Sequence, residues 1–214
     1  MSKRPQRSRD TYHVGNLAPQ LLSAAREMLE EVGPTKLSLR GVSERVGVSS
    51  TAAYHHYANR AELIGHLAGK GFRELAVALR AAEQGSSGLL KLRDASLAYF
   101  SFARANPALY QLMFGPELGS EDMPAEYREA RDEAFGELKR IIAEILDQGI
   151  DSPEVRRAAL AGWSYTHGLA SLVIHGVLQL PSSTSDSRFV DSTLRGFEHL
   201  FKAGEGVEAE QGAQ

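Results

Sequence analysis

The sequence predicts an all-α protein: a three-helix helix-turn-helix head followed by a larger helical bundle, about nine helices in total. Three observations carry that expectation. Apolar residues recur at helical spacing along the chain, and no segment alternates with a period of two. Two short, capped segments lie between residues 38 and 56, joined by a tight glycine turn. Further on, Ala158 to Ser185 contains no Asp, Glu, Lys or Arg, a composition that suits a helix covered on every side.

Each element follows from its residues. The first dozen hold Lys3, Arg4, Arg7 and Arg9 with almost nothing apolar, so residues 1–14 read as a disordered basic arm. Leu21, Ala25, Met28 and Val32 form the first helical stripe, ended by Gly33-Pro34. Ser38 is a good N-cap, Leu39, Val42 and Val46 follow as a buried face, and Gly47 stops this second helix. Ser49 then caps a third, short helix from Ser50 to about His56. A long fourth helix, from about Asn59 to Glu83, carries Ala68, Phe72, Leu75 and Leu79 on one side. The polar, glycine-rich run from Gln84 to Gly88 breaks it.

Phe135, Leu138, Ile142 and Ile145 mark a later helix closed by Gly149, and Val190, Leu194, Phe197 and Phe201 mark the last. From Gly204 the chain turns acidic and glycine-rich. The expected division is therefore a basic arm over 1–14, a helix-turn-helix domain over 15–60, a helical bundle over 61–203 and a disordered tail over 204–214.

Composition narrows the function classes. The chain has 214 residues, 43% apolar and 24% charged, and no cysteine. The absent thiols exclude disulfides, thiolate metal sites and cysteine nucleophiles, and suit a reducing interior. No apolar run follows the N-terminal basic residues, so no signal peptide is read there and the cytoplasm is the expected address. Residues 1–60 carry nine Lys/Arg against five Asp/Glu, a net of +4, whereas residues 61–214 carry fifteen against twenty-two, a net of −7. A basic head on an acidic body points the head at something anionic.

The third helix has residue types suited to the major groove. Ser50, Thr51 and Ala52 open it with small side chains that let the backbone approach base edges. Thr51 can hydrogen-bond a base or phosphate, and its methyl or that of Ala52 can touch a thymine methyl. Tyr54, His55, His56 and Tyr57 supply donors on flat aromatic bodies, and Arg60 adds a cation at the next helix start. Ser49 is first a cap and only second a DNA ligand. Tyr57 is expected in the core, and His56 in a partly structural role.

The run from Gly47 to Leu63, GVSSTAAYHHYANRAEL, closely resembles the helix-turn-helix signature of the TetR (TetR/AcrR) family of bacterial regulators. The preceding AAREMLEEVGPTKLSLRGVSERVGVS is similar to that family's first two helices, and together the likeness spans roughly residues 15–65. It implies a DNA-binding head whose recognition helix lies around Ser50 to His56, with Tyr54 and His55 on phosphates. Arg60 stands where the family usually has Lys, which keeps the charge but offers a fork in place of a point. The resulting DNA-binding set is Ser49, Ser50, Thr51, Ala52, Tyr54, His55 and Arg60.

The resemblance further implies that the later helices form a ligand cavity and that the last two, about 155–180 and 187–202, pair with a second copy. Trp163 to Leu172, WSYTHGLASL, resembles the Trp…His-Gly motif of one C-terminal subgroup of the family. Small and polar residues from Gly162 to Gln179 interrupt the uncharged stretch, which favours a buried dimer helix over a membrane span.

Aromatics gather in the body at Tyr99, Phe100, Phe102, Tyr110, Phe114, Tyr127, Phe135, Trp163 and Tyr165. Phe100, Tyr110, Met113, Phe114, Phe135, Trp163 and His167 are the candidate ligand-binding residues, each open to the alternative of plain core. Asp94, Glu117 and Glu121 either favour a cationic ligand or simply face solvent.

The expected function is a regulator, most simply a repressor, that binds a palindromic operator on double-stranded DNA as a homodimer. A small, largely apolar effector of unknown identity releases it. An activator, or a non-specific architectural DNA-binding protein of the same fold, is the alternative. No phosphate loop, HExxH or GxSxG motif supports an enzyme, and no cofactor, metal or membrane partner is expected.

Overall fold

The computed structural model describes residues 17–82, 85–119 and 123–211. The arm expected over 1–14 lies outside the described residues, as does Glu121. Among the described residues the chain is all-helical, with nine α-helices and no strand: α1 (Leu17–Val32), α2 (Leu39–Val46), α3 (Ser50–Tyr54), α4 (Arg60–Ala82), α5 (Leu89–Ala105), α6 (Pro107–Met113), α7 (Ala125–Leu146), α8 (Pro153–Ile174) and α9 (Asp186–Gln211).

The head is held by local caps, and its buried residues run on into the core of the body. Leu21, Ala25 and Leu29 of α1 are buried with Leu37, Leu39, Val42 and Ala53. The first stripe turns inward at Leu29, leaving Met28 half-buried and Val32 exposed at the Gly33-Pro34 turn. Ser38 Oγ accepts from the Gly41 amide at 3.1 Å to start α2. Gly47 ends it in the left-handed region at φ 79°, its amide returning to the Glu44 carbonyl at 3.2 Å. Only glycine takes that conformation without a Cβ penalty.

The third helix is shorter than its sequence suggests, ending at Tyr54 and not near His56. Tyr57 must enter the core, where it is 5% exposed and its hydroxyl donates to the Ala18 carbonyl at 3.1 Å. The chain leaves the helix axis to reach that position. Asn59 Oδ1 then accepts from the Glu62 amide at 2.8 Å, while the Glu62 carboxylate accepts from the Ala58 amide. This reciprocal cap fixes the first residue of α4 at Arg60.

The fourth helix is the spine of the molecule. It packs most extensively on α7 and also meets α5 and α6. A Cβ on Gly69 would stand 3.3 Å from Tyr127 Cα and 3.4 Å from the Glu126 carbonyl, so α4 and α7 approach as closely as a glycine permits. Phe72, Leu75 and Leu79 of α4 share one core with Tyr99 and Phe100 of α5 and with Leu109, Tyr110 and Leu112 of α6.

Head and body join at α6, which packs on α1 and on the short 3-10 turn Pro34–Lys36. The Arg26 guanidinium of α1 donates across that joint to Asn106 Oδ1 at 2.5 Å.

Ser152 caps α8, its hydroxyl accepting from the Val155 amide at 3.2 Å. Val155, Ala159, Thr166 and Ala170 are buried, whereas Leu160, Ala161, Ser164 and Leu172 are exposed. The helix stops at Ile174, short of the expected 180, and Gly176 turns the chain at φ 71°. Among the described residues no helix is long and apolar enough to cross a membrane. The last helix, α9, begins at Asp186 and continues to Gln211, past Gly204, where composition predicts an unfolded tail. Helix formers at Glu205, Glu208, Ala209 and Glu210 are consistent with that continuation.

Candidate functional site

Two features stand apart from the packed core: the exposed face of α3 at one end and an aromatic cavity in the body. Ser49 Oγ accepts from the Ala52 amide at 3.1 Å and so starts α3. Thr51, Tyr54 and His55 project from one exposed face, at spacings of three and four residues. Ala53 on the opposite face is fully buried and anchors the helix. Ser50 is half-buried, its hydroxyl 3.4 Å from that of Ser43, so it binds α3 to α2. Ala52 is likewise half-buried, and His56 is exposed just beyond the helix.

Arg60 is engaged within the protein. Its Nε donates to the Leu37 carbonyl at 2.8 Å and one terminal nitrogen donates to the Pro34 carbonyl at 2.6 Å. The fork that distinguishes Arg from Lys is thus used to tie α4 to the loop before α2. Elsewhere in the head Arg45 grips both oxygens of Glu31 at 2.7 and 2.5 Å, and this holds the Glu31 carboxyl below its usual range.

The cavity, open to solvent past Leu160, Arg131 and Asp132, has a volume of about 490 Å³ between α4, α6, α7 and α8. Phe72, Phe114, Tyr127, Phe135 and Trp163 form its walls, with Arg131 and Asp132 of α7 also lining it. The rings brace one another edge to face: Phe72 on Phe114 at 5.3 Å, Phe72 on Tyr127 at 5.9 Å, Phe135 on Trp163 at 5.2 Å.

Of the seven candidate ligand residues, Met113, Phe114, Phe135 and Trp163 line this space. Tyr110 and His167 line a smaller cavity of about 260 Å³ that reaches Pro34 of the head and also contains Glu117. Phe114 and Gly115 border both. Phe100 lines neither; it is fully buried and packs on Phe189 with ring centres 5.4 Å apart. Phe72, Leu118, Arg131 and Leu160 were not among the candidates. Phe72 already stood in the helical stripe of α4, but nothing local marks which side of a stripe meets a void.

Between the cavities lies a buried polar cluster. The Tyr110 hydroxyl is 2.6 Å from His167 Nδ1, and the Tyr99 hydroxyl is 3.1 Å from the same nitrogen and 3.3 Å from the Tyr110 oxygen. Burial pushes both phenols far above their ordinary range, and it lowers His167, with nearby His175 adding to the effect. The imidazole is therefore held neutral, with Nδ1 free to accept from Tyr110.

A capped helix-turn-helix on a helical body defines a DNA-binding transcriptional regulator. Residues 21–67 match the model of the bacterial regulatory proteins of the tetR family, and residues 92–197 match the tetracyclin repressor-like C-terminal domain. The chain belongs to the TetR family. It is 24% identical over 175 residues to an HTH-type transcriptional regulator of Mycobacterium tuberculosis, covering 82% of this chain and 77% of that one. Its fold is similar to that of a protein from Rhodococcus sp. RHA1, at 31% identity and a TM-score of 0.73 over 88% of this chain and 96% of the other. A tetR-family regulator from Rhodococcus RHA1 shares the fold at 22% identity and a TM-score of 0.61, with 83% and 95% covered.

Proposed function

We propose that this regulator is a ligand-released repressor that binds a palindromic operator as a homodimer. The observation that carries the reading is where the cavity sits. Its walls include Phe72 of α4 and Met113 and Phe114 at the end of α6. Helix α4 begins at the Arg60 tie to the head, and α6 packs on α1 and Pro34–Lys36. An occupant that moves these two helices moves the head with them. Ligand and operator then compete through one conformational equilibrium, with coupling of roughly 1–3 kcal/mol in typical systems.

On this reading Thr51, Tyr54 and His55 reach into the major groove and onto phosphates, supported by Ser49, Ser50 and Ala52. Arg60 acts by holding α4 against the head. The second copy docks on α8 and α9. Leu160, Leu172, Val177, Leu178 and Phe197 are exposed on these helices and the turn between them, and the run from Ala158 to Ser185 brings no Asp, Glu, Lys or Arg to such a contact. Trp163 and His167, one turn apart on α8, serve the cavity and its polar cluster; this gives the Trp…His-Gly motif a physical reason and supports assignment to that subgroup.

The test is selection of bound DNA from a random pool at fixed salt, with wild type and Tyr54→Ala in parallel. Tyr54 is 52% exposed, so its loss leaves the fold intact. Enrichment of a palindrome by the wild type, lost in the variant, is the expected result. Binding with no enriched sequence overturns the operator-specific reading.

A further inference from the structure

The lining of the main cavity is not uniform. Its walls are aromatic, but among the described residues that line it Arg131 is the single base and Asp132 the single acid. We propose that the effector is a small amphipathic carboxylate, its apolar body among the rings and its carboxylate on the Arg131 guanidinium. This rests on the reading of the cavity as the effector site.

Three observations favour an anion. Arg131 lies over the Tyr127 ring, 5.9 Å from its centre, so the guanidinium is steered by the cavity wall. Its contacts with Asp132 are long, 3.3 and 3.4 Å, and come from the adjacent residue on the helix, where side chains diverge. Other arginines of the body are gripped more closely: Arg93 holds both oxygens of Asp191 at 2.7 and 2.9 Å, and Arg80 reaches Glu137 at 2.5 Å. Arg131 is therefore a cation whose present partner a ligand carboxylate can replace with two shorter, parallel bonds.

Asp132 is the weaker candidate for a ligand contact. Its side chain is 73% exposed against 49% for Arg131, so a cation there would gain little over water. The volume of about 490 Å³ lies in the range that holds a small organic molecule.

Trp163 is the only tryptophan in the chain and lines the cavity, so its emission reports occupancy directly. Full-length protein would be titrated with decanoate, decanol and decylamine, three probes alike in length but different in headgroup. Decanoate is expected to bind about tenfold more tightly than either of the others, as a bidentate, charge-assisted contact with the guanidinium allows. Arg131→Gln should remove that preference and leave decanol affinity unchanged, while Asp132→Asn should strengthen decanoate.

Equal affinity for the three probes, tighter binding of decylamine, or a preference that survives Arg131→Gln would each overturn the carboxylate assignment and leave the cavity standing as an effector site. If none of the probes changed Trp163 emission and none released DNA, both the assignment and the effector-site reading would fall.

Discussion

The head and the body of this protein are held together in different ways. In the head, the helix starts are set by residues a few positions away: Ser38 caps on Gly41 and Ser49 on Ala52, while Asn59 accepts from Glu62 and Glu62 from Ala58. In the body the decisive contacts join distant segments. Tyr99 and Tyr110 meet His167 across three helices, and Phe100 of α5 packs on Phe189 of α9. A surface that must present three side chains in fixed register profits from local constraint. A cavity instead requires elements that can shift against one another, and long-range packing leaves that freedom.

The largest expected effect falls on the body. Phe100→Ala removes a fully buried ring and should cost about 3–5 kcal/mol in urea melts. Because Phe100 lines neither cavity, decanoate affinity per folded molecule should stay close to wild type. A selective loss of ligand binding at unchanged stability would place the ring at the site after all and break the distinction between core and cavity.

In the head a single backbone position should matter more than any contact. Gly47→Val puts a β-branched residue at φ 79°, a strain of roughly 1–2 kcal/mol or more. The turn between α2 and α3 should open and operator affinity fall by more than about tenfold. Trp163 emission and its response to decanoate should survive, since no long-range contact of the body passes through that turn. Operator binding that persisted would mean that the head is positioned from the body and not by its own caps.

Ser49 allows a finer separation of cap from contact. Ser49→Ala should cost about 1 kcal/mol and weaken DNA binding with it. Ser49→Asp restores an N-cap acceptor but sets a carboxylate near the phosphates. Stability near wild type with weaker operator binding is the expected outcome; equal DNA affinity in the two variants would confine Ser49 to the cap.

This contrast also explains what could be read from the sequence. Ser38, Gly47 and Ser49 announce the helix-turn-helix because caps and left-handed turns depend on residue type within a few positions. Two features of the head escape local reading: Val32, at the end of the first stripe, is exposed, and the burial of Tyr57 against Ala18, 39 residues away, ends α3 early. The Arg60 tie is also long-range, reaching back to Pro34 and Leu37. In the body the aromatics are plain in the sequence, yet nothing local separates Phe135, which lines the cavity, from Phe100, which fills the core. That difference is made by how α4, α6, α7 and α8 meet. Arg131 carries no local signal, since a charged residue on the outer face of a helix reads as solvated until a cavity is found beside it.

The smallest effect is expected at His167, where the body meets pH. Burial, with His175 nearby, holds this imidazole below its ordinary value near 6.5, whereas the unfolded chain titrates normally. Between those two values the unfolded chain binds a proton that the folded chain refuses, so the unfolded state gains as the medium is acidified. Stability should thus be full above about pH 6.5, fall as pH drops toward the folded value, and level off below it. Tyr99 and Tyr110 stay neutral throughout, because burial moves both upward. His167→Gln keeps an acceptor for Tyr110 and removes the titration. The wild-type minus variant difference in melting free energy should therefore slope between pH 7.5 and 5.5. A flat difference would mean that the protonated ring stays hydrated through the smaller cavity it lines, and the cluster would then act as a wall of that space and not as core.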